Sequence, residues 1–223
     1  YNPPYLPKTK ELQIENFPIF SNKHITFGSF FNVNKLNSEV LDLWTSIMNN
    51  IPSSRLVVGN VSGIETEQRL INIFKKQNIS GKRLDFIPKL NYPEFLKMHN
   101  KIDVCLAPFP NSGGTTILCA LWMGVPTLIL SNSRYLTNGG ANIMKVVGCP
   151  EFVVTNKEEY LKRAYEISNN LNFLNGVKTK LIKNARQSEL FNAEDYSLSF
   201  TEAIRKMWQL WCLDKKPKSF STF

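Results

Sequence analysis

A chain of 223 residues is long enough for one large α/β domain with a full core, or for two small ones. With 43% hydrophobic and 20% charged residues, its most apolar stretches, near Val104–Ala107 and Val125–Leu130, are strand-sized, which excludes a helical membrane span. The net charge of +9 is scattered and clusters only at Lys215-Lys216-Pro217-Lys218. That pattern describes a basic solvated surface, suited to a nucleotide or an acidic partner, and no nucleic-acid site is expected.

Cys105, Cys119, Cys149 and Cys212 form no C-x-x-C pair. Reduced thiols and a cytoplasmic location are expected, and two histidines, His24 and His99, are too few for a Cys/His zinc cluster. The first residue, Tyr1, suggests a piece of something longer, with no leader peptide in view.

Residues 1–23 carry Pro3, Pro4, Pro7 and Pro18 and read as an extended lead-in or linker. A domain is expected over 24–212, with a basic tail over 213–223. Ile25 to Phe30 reads as a buried strand. Ser38 then suits a helix N-cap, with Val40, Leu43, Trp44, Ile47 and Met48 at helical spacing until Pro52. A strand over Arg55–Gly59, a helix over Glu67–Gln77 and a strand over Leu84–Ile87 follow. Asn91 opens a short helix over Tyr92–His99, with Pro93 in its first turn.

A strand over Asp103–Ala107 leads through a Pro-, Asn-, Ser- and Gly-rich loop into a helix from Thr115 to Met123, closed by Gly124 and Pro126. Strand Thr127–Leu130, a helix over Ala141–Val147 stopped by Gly148, and strand Phe152–Val154 complete the alternation. Beyond Lys157 the pattern is helical. Its last helix carries Phe200, Ile204, Trp208 and Trp211 as a stripe of core or domain-packing surface. Strands that alternate with helices, and that lack polar/apolar alternation, predict an α/β fold with a parallel sheet covered on both faces.

In such a sheet, ligands bind beyond the carboxyl ends of the strands. Phe109-Pro110-Asn111-Ser112-Gly113-Gly114-Thr115-Thr116 sits at such an end. Gly113 and Gly114 let the backbone approach a ligand, and Thr115 and Thr116 add hydroxyls beside the free N–H groups and positive dipole of a helix start. That is an anion site, with diphosphate the usual occupant. The competing reading is a tight turn with an ordinary threonine cap. The segment is neither G-x-x-x-x-G-K-[ST] nor G-x-G-x-x-G, which argues against an NTPase and a dinucleotide enzyme. The loop Phe30-Phe31-Asn32-Val33-Asn34-Lys35 offers a second element. Lys35 falls at the same sheet edge, either as a diphosphate partner or as a plain surface lysine.

Taken together these segments resemble a family. Asn-x-x-Lys at Asn32–Lys35, Asp103-Val104-Cys105-Leu106, Gly114-Thr115-Thr116 and Leu121-Trp122-Met123-Gly124-Val125-Pro126 are similar to the C-terminal half of O-GlcNAc transferases. That is glycosyltransferase family 41, which also includes bacterial protein glucosyltransferases. The likeness runs on through Val147–Glu151, Asn156–Tyr160, Leu190–Asn192 and Met207-Trp208.

The resemblance implies a GT-B enzyme, with this chain as its Rossmann-like, nucleotide-sugar-binding domain. By position, Lys35 is implied as the catalytic cation on the diphosphate. Asn32, Gly113, Gly114, Thr115 and Thr116 are implied to hold the phosphates, the Leu90 backbone to lie near uracil, and Cys119 to occupy a ribose- or sugar-contacting position. The implied reaction is inverting transfer from UDP-GlcNAc or UDP-glucose to a protein or peptide, without metal or cofactor. The N-terminal catalytic half is implied to lie upstream, often preceded by tetratricopeptide repeats, and the fragment alone is expected to be inactive. The sequence departs from the family where Gly114 replaces a His, Cys119 an Asp, and Tyr92, Phe95 and Met98 the basic and His positions of the uracil-contacting helix. Those departures keep a second reading open, a binding or scaffold module that has lost catalysis.

Overall fold

The computed structural model describes residues 12–131 and 135–221. Its elements run in the order α1 (Ile19–Asn22), β1 (Thr26–Ser29), α2 (Ser38–Asn50), β2 (Arg55–Val58), α3 (Ile64–Lys76), β3 (Leu84–Phe86) and α4 (Tyr92–Met98). Then come β4 (Val104–Leu106), α5 (Thr115–Trp122), β5 (Thr127–Leu130), α6 (Tyr135–Val146), β6 (Val153–Val154), α7 (Lys157–Ser168), α8 (Leu171–Gln187) and α9 (Ala193–Cys212). No helix among the described residues is long and apolar enough to cross a membrane.

All six strands pair in parallel, in the order β3-β2-β1-β4-β5-β6. The sheet is the expected Rossmann-like one. From β1 the chain winds outward through β2 to β3, then returns to the other side of β1 and winds outward again through β5 to β6. Right-handed crossovers in opposite directions put α2 and α3 on one face and α5 on the other. The winding reverses between β1 and β4, where the loops after these two strands part and leave a crevice at the carboxyl edge.

The strands are buried on both faces because they are short and apolar, and β1 and β4 have no residue outside the buried class. Trp44 of α2, Phe74 of α3, Leu121 of α5 and Tyr160 of α7 are fully buried around them. Gly28 is required in β1, since a Cβ there would stand 2.5 Å from Ile102 Cγ2.

Several boundaries differ from the sequence expectation. Asn37, not Ser38, caps α2, its Oδ1 accepting from Val40 N at 3.0 Å. Helix α3 opens at Ile64 rather than Glu67, because Gly63 at φ 87° turns the chain and Glu65 and Glu67 then face the positive helix end. Helix α6 begins at Tyr135 rather than Ala141 and passes through Gly139 and Gly140. Gly140 is a packing glycine: a Cβ there would lie 2.6 Å from both Ser112 Oγ and Ile117 Cδ1.

The lead-in is not wholly extended. Residues 1–11 lie outside the described residues, but Phe17 is buried and Ile19–Asn22 forms a helical turn. Asp103 holds this segment, its carboxylate accepting from Ile19 N at 2.9 Å and from Thr26 N at 2.6 Å. At the other end, the α9 stripe is not core within this chain: Trp208 is 65% exposed and Trp211 75%.

Candidate functional site

Two loops meet at the reversal point. The first follows β1. Phe30 and Phe31 turn into the core, and Asn32 Oδ1 accepts from Asn34 N at 2.9 Å to open a 3-10 turn over Val33–Lys35. That turn lifts Lys35 to the sheet edge. Asn60, just beyond β2, braces the loop by donating Nδ2–H to Phe30 O at 2.6 Å.

The second loop follows β4. Ala107, Phe109 and Ser112 are buried, and Gly113 takes φ +70°, a conformation that favours glycine. Gly114 caps α5 with no side-chain hydrogen bond, so the first-turn N–H groups face the crevice with the helix dipole behind them. Thr115 and Thr116 are half-buried in that turn.

Two asparagines tie the loops together. Asn37 Nδ2 donates to Phe109 O at 2.8 Å while its Oδ1 caps α2. Asn111 Oδ1 accepts from Gly113 N at 3.0 Å and from Lys35 Nζ at 3.3 Å. The Lys35 ammonium therefore stands over the glycines, 3.3 Å from where a Gly113 Cβ would be and 6.0 Å from the Phe31 ring centre. Partial burial lowers its pKa from the ordinary lysine value. A cation, a glycine loop and an uncapped helix start thus converge, which is what binding a diphosphate requires.

The structure brings together Lys35, Gly113, Gly114, Thr115 and Thr116. Asn32 sits in the same loop, exposed, with its carbonyl oxygen used in its own turn. Leu90 lies beyond β3, immediately before Asn91, whose Oδ1 caps α4 by accepting from Glu94 N at 3.1 Å.

Cys119, implied by the resemblance at a ribose- or sugar-contacting position, lies beneath the surface. Its side chain is fully buried among Leu12, Leu96 and Met123, and burial raises its thiol pKa. The half-exposed Tyr92 joins α4 to α5 there, with its hydroxyl 3.6 Å from Cys119 Sγ. Asn37 and Asn111 are the site residues that sequence reasoning did not single out. An asparagine two residues before a glycine, or at a helix start, is the only local signal either carries.

Among the described residues no group of three His, Cys, Asp or Glu side chains is placed to hold a metal ion. Two broad grooves of the described surface lie elsewhere. One runs over the sheet face near Thr26, Arg55 and Asp85, and another lies between α9 and the tail at Lys215–Phe220. The loop site is an open rim.

Comparison with known proteins gives the chain a family. The pattern of Glycosyl transferase family 41 matches residues 12–200. A probable UDP-N-acetylglucosamine–peptide N-acetylglucosaminyltransferase SPINDLY of Petunia hybrida is 28% identical over 212 residues, which cover 93% of this chain and 23% of that protein. The UDP-N-acetylglucosamine–peptide N-acetylglucosaminyltransferase of Caenorhabditis elegans is 23% identical over 185 residues, 83% of this chain and 16% of its own length. This chain thus spans about a quarter or less of these relatives. In three dimensions it matches a mutant O-GlcNAc transferase of Thermobaculum terrenum with a TM-score of 0.80 and 28% identity, over 86% of this chain and 37% of that one. A sucrose-phosphate synthase of Thermosynechococcus elongatus shares the fold, with a TM-score of 0.64 and 13% identity over 94% of this chain and 51% of that one. The match reaches from the segment held by Asp103 to the start of α9 and includes both loops of the rim, so it rests on the whole domain rather than on one motif: the chain belongs to glycosyl transferase family 41.

Proposed function

We propose that this chain is the donor-binding domain of an inverting, metal-independent glycosyltransferase that transfers a hexose, GlcNAc or glucose, from its UDP carrier to a protein. The observation that carries this reading is the Lys35 ammonium bonded to Asn111, directly over the Gly113–Gly114 loop that opens α5. Lys35 and the α5 N–H groups would cradle the diphosphate, with the Thr115 and Thr116 hydroxyls beside them. As the sugar leaves, negative charge grows on the departing UDP, and the fixed cation and helix dipole stabilise that charge in place of a divalent ion. Leu90 and Tyr92, at the start of α4, lie on the side where the uridine would rest. The acceptor site and any catalytic base would belong to sequence outside this chain, and a cytoplasmic setting agrees with its free thiols.

Titration calorimetry of the 223-residue chain with UDP, with and without EDTA, tests donor binding. Saturable heat that EDTA leaves unchanged is expected, and no heat at millimolar UDP would remove the reading. In the complete enzyme, Lys35→Ala should slow transfer by about 100-fold to 1,000-fold, as loss of one preorganised electrostatic group does. UDP affinity should fall much less, because the α5 N–H groups stay in place. Unchanged turnover would take Lys35 out of the chemistry.

A second reading, a binding module without catalysis, draws on Gly114, which offers no side chain, and on Cys119, which is fully buried. UDP binding without any UDP-sugar turnover by the complete protein would favour it.

A further inference from the structure

The Asn111 carboxamide oxygen has two donors of different kinds. Gly113 N, at 3.0 Å, is two residues away, and that bond alone would make Asn111 a turn former. Lys35 Nζ, at 3.3 Å, comes from 76 residues away in the other loop. Among the described residues no carboxylate pairs with Lys35, although four other ion pairs are formed. The ammonium is therefore held by a neutral oxygen, which fixes its position and leaves its charge uncompensated. A lysine has four rotatable side-chain bonds and is otherwise free to swing into solvent.

We propose that Asn111 is a positioning residue for Lys35. Its Oδ1 takes the place on the ammonium that a phosphate oxygen of a nucleoside diphosphate takes on binding. Ligand entry is then an exchange of acceptors on an ammonium already aimed at the loop, so less side-chain freedom is lost on binding. This rests on the donor-site reading above. Neutrality is essential to it. A carboxylate at the same point would compensate the cation and repel the incoming anion, although it would accept from Gly113 N equally well.

That difference supplies the test. Wild-type chain, Asn111→Asp and Asn111→Ala are titrated with UDP and with inorganic pyrophosphate across neutral to alkaline pH. The Asp variant keeps the turn bond, and position 111 is exposed, so both variants should fold. For Asn111→Asp both ligands should bind about tenfold weaker at neutral pH, the size of one charge-assisted contact. The alkaline pH at which affinity falls away should move up, because the carboxylate stabilises the lysine cation. Asn111→Ala should bind several-fold weaker, with that limit moved down. An Asp variant that binds both ligands as the wild type does, with an unmoved limit, would make Asn111 a turn former and overturn the proposal. A wild-type chain that binds neither ligand would instead sink the donor-site reading, and this inference with it.

Discussion

His99 closes α4 inside an aromatic nest, wholly buried, with Phe30 at 4.7 Å and Phe95 at 5.2 Å between ring centres, both edge-on. Its Nδ1 lies 3.1 Å from Phe95 O and 3.2 Å from Leu96 O. Both partners are acceptors, so Nδ1 carries the proton and the ring is neutral. Nε2 has no partner, and a second proton there would put a charge among aromatic carbons. Burial accordingly depresses the pKa from 6.5 to about 4.

The folded state thus binds this proton more weakly than the unfolded state. His99 contributes full stability above the unfolded value, and that stability is lost as pH falls from 6.5 through about 4. The interval corresponds to about 3 kcal/mol, most of it gone by about pH 4.5. His99→Phe removes the titration and sacrifices the Nδ1 bonds, about 1 kcal/mol at neutral pH. Urea unfolding of both proteins between about pH 7.5 and about pH 4.5 should therefore show crossing curves, with the wild type more stable at neutral pH and the variant more stable in acid. Buried Asp103, whose pKa is raised to about 6 mainly by burial, titrates in both proteins and cancels in the difference. Parallel curves would refute the argument.

Substitutions at two further positions probe the frame and the rim separately. Arg83 gathers the end of α2, donating from Nε to Ser54 O and from one terminal nitrogen to Met48 O, Ile51 O and Ser54 Oγ, at 2.7–3.0 Å. Arg83→Ala should cost about 3 kcal/mol in urea unfolding, and Arg83→Lys should restore less than half because the fork is lost, with UDP affinity unchanged in both. Gly113→Ala should cost about 1 kcal/mol, since φ is +70° there. Its Cβ would also crowd Phe31 at 3.2 Å and the Lys35 ammonium at 3.3 Å, so calorimetry should show UDP affinity falling about tenfold. Unaltered affinity would mean that the ammonium moves aside without consequence.

The parallel sheet was legible because each strand is short, apolar and followed by a helix pattern, and local composition decides such features. The Gly113–Thr116 loop and Lys35 stood out as separate candidate anion elements for the same reason. Their meeting was not, since Asn111 and Lys35 are 76 residues apart and nothing local states that β1 and β4 are neighbours. The resemblance supplied that adjacency. The burial of Cys119 was not legible, because its position in a motif says nothing about which way its face of α5 turns, and packing beneath Tyr92 decides that. The early start of α6 was not legible because the use of Gly140, close approach of α6 to Ser112, belongs to packing rather than to propensity. The stripe on α9 was correctly found as a face, but periodicity does not say what covers it.

The strand order also bears on how the protein folds. Each set of three strands, β1-β2-β3 and β4-β5-β6, is linked by nearby crossovers and can form from contacts close in the chain. Joining the sets at β1 and β4 closes a much longer loop, as the bond between Asp103 and Thr26, 77 residues apart, makes plain. Non-local parallel pairing of this kind is slow. The rim that carries Lys35 and the Gly113–Gly114 loop spans that seam and does not exist in either half alone. A diphosphate ligand would therefore bind only after the seam has closed, and would act on the chain as a brake on unfolding from its centre.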